Sequence, residues 1–579
     1  MRALLVHVPN LLWIGPNNHL TDRMEIGLMA MGLFSIADVA DRAGVPVEIV
    51  NLHTSFTASP DFNLVNHVIE TGAEVVGFSV HWAKTIESAL RFAALLAKHS
   101  PRTKVVLGGF TASYFARQVL EHHPAVHAVI QGDGEIPFRE YASAVLDHRS
   151  DLGHVPNLLW RRDGEIVENP RTYTARPQDL DDLDFARFDL LKDAHAYAPG
   201  YWTTRPEIAC QKTFLVSTGR GCSFNCSFCG GAAPAQKVIN NRTRFVYRSP
   251  ESVMRTIETA VERGFTNIYF DYDPEPEGAY YLDLFARVRN RGLKGLTCCF
   301  GSWKLPTEAL IDAMRETFDI GLFQMSPETW SEDARLRNKD ARIHYSNAEL
   351  EANIDAIARR GLYSQVYFGY VMPYDTREAV YGTIAYVDAL NRRFGHSCEV
   401  RNLRFSTDPG SPAFQRPEKH DITLWAPDLE SYLNIMGASN QRGYLNNLQL
   451  FKVNSMSDLE NYLCSQMPPC YYHLQASYPQ TMAGLLERLG YPTLLTMLER
   501  VFLLPRWRGV LEPLVHTFDA HPAEMHASMR LVVTAAMSPG LNDVLEDEHA
   551  RLIAGGSLSE APEKAPEALT PVPVDFTKL

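Results

Sequence analysis

The chain has 579 residues, 45% hydrophobic and 21% charged, with a net charge of −13. That composition suits two to four globular domains with sizeable cores. The acidic balance argues against a nucleic-acid partner, the lack of any apolar run of ~18 residues argues against a membrane span, and nine cysteines, an odd number, suggest no disulfide framework and fit a reducing, cytoplasmic compartment.

Residues 1–150 alternate regularly. RALLVHV reads as a first strand, without the apolar core and cleavage site of a signal peptide. EIGLMAMGLFSIADVADRAG reads as a helix closed by Gly44. VPVEIVNL is a strand, a weak helix follows, and AEVVGFSV is a near-continuous apolar strand. ESALRFAALLAKH, ARQVLEHH and PFREYASAVLDH are helices around the strands TKVVLGG and HAVIQGDGE. Five such strands imply an α/β fold with a parallel, doubly wound sheet. Ligands bind at the carboxyl ends of strands in such sheets. Those ends carry Ser79-Val80-His81-Trp82, Gly108-Gly109-Phe110-Thr111 and Gly132-Asp133-Gly134-Glu135, where glycine lets a ligand approach the backbone closely.

Residues 151–205 read as a connector, with a hairpin turning at Asp163-Gly164 and then the acidic, irregular DLDDLDFARFDLL. A second alternating series fills 206–418. Its strands are KTFLVST, TNIYFDY, LTCCFGSW, IGLFQMS, SQVYFGYVM and EVRNLRF, and Ser249-Pro250-Glu251 opens its first helix. Six β/α units make a partial barrel rather than a closed eightfold one. Residues 419–556 carry helical patterns (DLESYLNIMG, MAGLLERLG, LLTMLERVFLL, MHASMRLVVTAAM), and the Pro/Ala/Glu-rich 557–579 reads as a disordered tail.

GRGCSFNCSFCGG follows the first barrel strand and places Cys222, Cys226 and Cys229 in a C-x3-C-x2-C spacing. Three thiolates so close can reach three irons of one cluster and leave a fourth open. A structural zinc site would need a fourth ligand nearby, yet Cys210 and Cys298-Cys299 are distant and form no second CxxC. A disulfide is the weaker alternative in a reducing compartment. Adjacent residues on a strand face opposite ways, so Cys298 and Cys299 read as packing. Cys464 and Cys470 are too few to hold an auxiliary cluster, and His122-His123 reads as a solvent-facing helix end. Tyr272, Trp303 and Tyr370 stand at or near barrel strand ends, where they line a cavity or pack the core.

These motifs resemble the radical S-adenosylmethionine (radical SAM) superfamily, and within it the cobalamin-binding branch, over residues 1 to about 415. The resemblance implies a flavodoxin- or Rossmann-like cobalamin-binding domain, a (β/α)6 radical SAM core and a helical C-terminal domain. It implies a [4Fe-4S] cluster on Cys222, Cys226 and Cys229, SAM on the open iron, and Phe228, Gly230 and Gly231 beside it. Asp271, Asp273 or Glu275 stand where the family places a contact to the SAM amino group. Ser326 and Glu328 look like its ribose-contacting segment, with a helix cap as the alternative, and Arg404 with Pro409-Gly410-Ser411-Pro412 resembles its last strand and exit turn. Cobalamin would lie against Ser79, His81, Trp82, Gly108, Gly109, Thr111, Gly132, Gly134 and Glu135. The alternative there is a generic nucleotide or flavin fold, weakened by the lack of a GxGxxG. D-x-H-x-x-G, whose His ligates cobalt in other cobalamin domains, is absent, and His7 lacks its flanking residues.

The activity so implied is methyl transfer from SAM via methylcobalamin to an unactivated carbon of a small molecule, a natural product among the candidates. An electron donor such as flavodoxin or ferredoxin is implied as partner. Ring closure or another radical reaction without methyl transfer shares every motif, as does a non-catalytic cobalamin or iron-sulfur sensor.

Overall fold

The computed structural model describes residues 2–8, 27–81, 83–271, 279–442, 450–477 and 479–502. Trp82, Tyr272, Asp273, Glu275, the helix expected over 525–537 and the tail 557–579 lie outside the described residues.

The first five apolar segments become β1 (Arg2–His7), β2 (Val47–Asn51), β3 (Ala73–Ser79), β4 (Lys104–Gly108) and β5 (Ala128–Ile130). They pair in parallel in the order β2-β1-β3-β4-β5. Leu5, Val75 and Val106 bury into one layer of core, and Leu4, Val6, Val76 and Leu107 into the other. Both faces are covered, which is why these strands read as continuous apolar runs. Asn51 and Asn63 cap the two short helices that replace the expected weak one, accepting from His53 N at 3.1 Å and Asn66 N at 3.1 Å.

Two elements differ from expectation. The first helix is only Gly32–Arg42; Leu28 to Met31 precede it as non-helical chain against a cavity. The hairpin turning at Asp163-Gly164 exists as β6 (Leu158–Arg162) and β7 (Glu165–Glu168), with positive φ at both turn residues. It does not stand apart as a connector. β6 pairs antiparallel with β5 and extends the first sheet to seven strands.

The second sheet begins with β8 (Thr213–Leu215). The short antiparallel pair β9 (Gly219–Arg220) and β10 (Val246–Tyr247) then brackets the cysteine loop and an unforeseen helix, Ala233–Asn240. β11 (Asn267–Phe270), β12 (Thr297–Ser302), β13 (Ile320–Glu328), β14 (Tyr363–Tyr370) and β15 (Cys398–Arg404) complete a parallel sheet ordered β15-β14-β13-β12-β11-β8. It is the open, six-stranded partial barrel that the alternation predicts. Ser249 caps the helix Pro250–Glu262, accepting from Ser252 N at 3.2 Å.

One continuous core joins the sheets. Phe188, within the irregular acidic stretch, packs against Phe34 at 5.4 Å, Phe214 at 5.6 Å and Phe265 at 5.4 Å between ring centroids. The acidic composition of that stretch hides these buried aromatics.

Beyond 419 the described chain is mainly helical: Leu429–Arg442, Asp458–Ser477 and Pro479–Phe502, the last broken at Gly490 (φ 70°). A small antiparallel pair, β16 (Ile422–Leu424) and β17 (Phe451–Val453), stands outside the helical expectation, its strands being too short to show alternation. Cys298 and Cys299 are fully buried in separate apolar clusters, as packing residues should be. Cys464 is buried beside Met372, Val380 and Phe451.

Candidate functional site

The cysteine loop is clamped by segments far away in sequence. Ser227 N donates to Asn338 O at 2.7 Å and its hydroxyl to Asn338 Oδ1 at 2.6 Å. Asn225 N donates to Asp340 Oδ2 at 3.0 Å. On the other side, the turn after β15 closes on the loop: Gly230 N donates to Asp408 Oδ2 at 3.0 Å, Asp408 N to Phe228 O at 3.0 Å and Ala413 N to Ser227 O at 2.7 Å. A Cβ on Gly230 would come within 2.9 Å of the Asp408 side chain, so this position needs glycine. Phe228 meets Phe405 edge-on at 4.8 Å.

Cys222, Cys226 and Cys229 are all free thiols facing a single cavity. The N–H groups of Phe224 and Gly231 donate to the sulfurs of Cys222 (3.4 Å) and Cys229 (3.3 Å). Burial pushes the Cys222 thiol up to about 11 and raises Cys226 and, further, Cys229. Thiolate at this place therefore calls for a bound cation.

The same cavity, about 780 Å³, is lined across from the cysteines by the carboxyl ends of the first sheet: Ser79, His81, Gly108, Gly109, Thr111, Gly132, Gly134 and Glu135. Gly109 sits at φ 102°, and a Cβ there would lie 2.7 Å from His81 N. Gly108 faces open space. Thr111 is fixed through its N–H to Val80 O at 3.2 Å. His81 packs 4.5 Å from Phe110, and burial, with Arg220 nearby, lowers it to about 4. His7 also lines the cavity; burial lowers it to about 4, and its Nδ1 has no hydrogen-bond partner among the described residues. Both imidazoles are neutral at pH 7.

The barrel side supplies acids. Asp271 and Glu328 line the cavity and are raised by burial to about 6 and about 7. Lys339 and Arg335 partly oppose the rise at Glu328. Glu328 ends β13 with φ 71°. Ser326 and Glu328 thus belong to a strand, and the helix-cap alternative falls: the next helix is capped by Ser331, which accepts from Ala334 N at 3.3 Å. Ser326 is not part of the cavity lining; its carbonyl accepts from the Lys339 ammonium, which is. Trp303 lines the cavity, whereas Tyr370 is buried in a separate cluster.

Glu135 is reached differently from the other predicted contacts. Its carboxylate is taken by the protein, accepting from Ser35 Oγ at 2.8 Å and from the Arg220 guanidinium at 3.1 Å. Sequence reasoning missed Arg220, Arg242, Lys339 and Asp408. Arg220 was visible within GRGC, but its partners lie at least 85 residues away, and no local pattern announces such pairing.

The lining fits the implied cofactors. A cuboidal cluster binds each thiolate on a different iron, so its cysteines need not converge on one point. Among the described residues no group of three or more His, Cys, Asp or Glu side chains is placed as a single metal ion would require. Bare glycine backbone and neutral imidazoles suit a large ligand of low charge pressed on the strand ends. Among the described residues no helix is long and apolar enough to cross a membrane.

Comparison with known proteins agrees. A family model for the B12 binding domain matches residues 27–142 and one for the radical SAM superfamily matches 216–387. The chain is 24% identical over 298 residues to the uncharacterized methyltransferase PH0819 of Pyrococcus horikoshii, covering 50% of this chain and 58% of that protein. It is 24% identical over 140 residues to the anaerobic magnesium-protoporphyrin IX monomethyl ester cyclase of Synechocystis sp., covering 24% and 26%. The chain thus spans about half of the first of these curated relatives and a quarter of the second. The solved structure of the radical SAM methyltransferase TsrM from Kitasatospora setae, with cobalamin and a [4Fe-4S] cluster bound, superposes with a TM-score of 0.54 at 16% identity, over 74% of this chain and 78% of that one.

Proposed function

Because the chain belongs to the cobalamin-binding branch of the radical SAM superfamily, with cobalamin, a [4Fe-4S] cluster and SAM as its cofactors, we propose that it is a methyltransferase moving a methyl group from SAM to an unactivated carbon of a small molecule. One observation carries this reading: the three cysteines and the glycine-rich ends of the first sheet line one cavity. When bound there, the cofactors supply one-electron chemistry and a transferable methyl group, the hard chemistry that side chains lack.

The chain's own residues bind and orient. Cys222, Cys226 and Cys229 hold the cluster, and the N–H groups of Phe224 and Gly231 stabilise charge on two of the sulfurs. Phe228, Gly230 and Gly231 flank SAM, and Asp271 and Glu328 offer it carboxyl contacts. Ser79, His81, Gly108, Gly109, Thr111, Gly132 and Gly134 form the cobalamin wall. Trp303, at the cavity's barrel side, faces the small-molecule substrate. Reduction comes from an external donor such as flavodoxin or ferredoxin.

Ring closure or another radical reaction without methyl transfer is the second reading, favoured by the cyclase relative. The test is anaerobic reconstitution with iron, sulfide and hydroxocobalamin, followed by incubation with CD3-labelled SAM, reductant and a small-molecule extract. Methyl transfer is supported by 5′-deoxyadenosine together with a CD3-bearing product. 5′-Deoxyadenosine with deuterium-free products supports the second reading, and no SAM cleavage overturns both.

A further inference from the structure

A cluster of buried charges lies where the two sheets meet, and the roles above leave it unused. Glu135 and Asp133 are 1% and 7% exposed, and Arg242 is 4% exposed. Arg220 Nη1 stands 3.1 Å from Glu135 Oε2 and 3.1 Å from Asp133 Oδ1. The other Glu135 oxygen accepts from Ser35 Oγ at 2.8 Å and from Arg220. Asp133 Oδ2 accepts from Arg242 and, at 2.8 Å, from Ala175 N; Arg242 also donates to Ala175 O at 3.1 Å. Two carboxylates thus face two guanidiniums, which is how buried charge is tolerated.

The placement gives the cluster its meaning. Asp133 lies between Gly132 and Gly134, which line the first sheet's end of the cavity. Arg220 precedes Cys222 by two residues. Gly221, between them, has φ 87°, and a Cβ there would meet Arg242 Cδ at 2.7 Å. The entry to the cysteine loop is thus packed on one guanidinium and anchored by the other, and both are held by the loop that walls the opposite end of the cavity.

We propose that Glu135 and Asp133 are positioning residues that, through Arg220 and Arg242, couple occupancy of the first sheet's end of the cavity to the cysteine loop. The positioning stands on the geometry alone; the coupling rests on the cofactor reading above. Coupling between two sites is reciprocal. Cobalamin therefore binds more tightly to cluster-loaded chain than to chain stripped by a chelator, and the cluster is retained better with cobalamin bound.

Two measurements on the full chain test this, comparing wild type with Glu135→Gln. In chelator-stripped protein, amide exchange over 219–231 rises about fivefold or more in the variant while 363–370 is unchanged; unchanged exchange over 219–231 overturns the positioning. Hydroxocobalamin affinity is then titrated with and without the cluster. The ratio is about fivefold or more in wild type and close to one in the variant. A merely structural contact weakens both affinities and preserves the ratio, so an equal ratio in the two proteins overturns the coupling. No hydroxocobalamin binding to wild type in either state overturns the cofactor reading and the coupling with it, while the exchange measurement still decides the positioning. Should Glu135→Gln not fold, Ser35→Ala removes one neutral hydrogen bond from the same carboxylate and shifts both readouts in the same direction by a smaller factor; no shift overturns the proposal.

Discussion

The two walls of the cavity are built by opposite means. The first sheet presents bare backbone at Gly108 and Gly109 and imidazoles held neutral by burial. The second presents thiols on a loop clamped by Asn338, Asp340 and Asp408, with carboxyls that burial holds partly protonated. In the reading proposed above, one wall accommodates a broad ligand of low charge and the other manages charge and electrons. The Gly108-Gly109 part of the first wall follows once its strands form, because bare backbone needs no partner. The second depends on contacts made across more than 100 residues of chain, so it is the wall more easily disordered by mutation.

Removing the second wall's ligands has the largest expected effect. Replacing Cys222, Cys226 or Cys229 with Ala abolishes bound iron and SAM cleavage by ~10³-fold or more, while hydroxocobalamin still binds; iron counting and 5′-deoxyadenosine release check this. A cysteine variant that keeps its cluster would erase the contrast between the walls. Phe188→Ala strikes both walls at once, because that ring bridges the two sheets. It costs about 3–5 kcal/mol, roughly 5 °C in Tm for a shared core of this size, read by thermal unfolding. Gly109→Ala addresses the first wall alone. Strain at φ 102° and the approach to His81 N cost about 1–3 kcal/mol, with weakened hydroxocobalamin binding and unchanged iron content.

The smallest effect sharpens the contrast through pH. Glu328 is raised in the folded chain from 4.5 to about 7, so the folded state holds a proton that the unfolded state releases. Its contribution is present below pH 4.5 and lost as pH rises through 7. His7 and His81 are lowered from 6.5 to about 4, so their contribution is present above pH 6.5 and lost as pH falls toward 4. In iron-free protein, Glu328→Gln flattens the decline in Tm between pH 5 and 8 by ~2–4 °C and leaves the slope below pH 4.5, where Glu328 is protonated in both states, unchanged. Thermal scans across both ranges check this.

What the sequence disclosed follows the same division. Cys222, Cys226 and Cys229 are spaced by local chemistry, and the strand-end glycines follow apolar runs, so both could be read from short windows. Ser249 and Gly44 mark helix ends in the same local way. The clamps could not be read so. Asp408 adjoins the recognised Pro409-Gly410 turn, yet nothing near it tells that Gly230 needs its carboxylate. Phe188 sits among aspartates, and its burial is decided by Phe34, Phe214 and Phe265. Glu135 looked like a ligand contact because it ends a glycine-rich loop; its use by Arg220 is decided 85 residues later. Ser326 fell outside the cavity lining because strand β13 runs on to Glu328.

The β6–β7 hairpin bears on engineering. By pairing with β5 it places 158–168 on the edge of the first sheet, while Phe188 carries the chain's interior onward to Phe214. A chimera exchanging only residues 1–150 with a relative would cut between two hydrogen-bonded strands and leave a raw sheet edge, a template for aggregation. The cut must fall beyond the hairpin, and the recipient must bring a matching arginine pair.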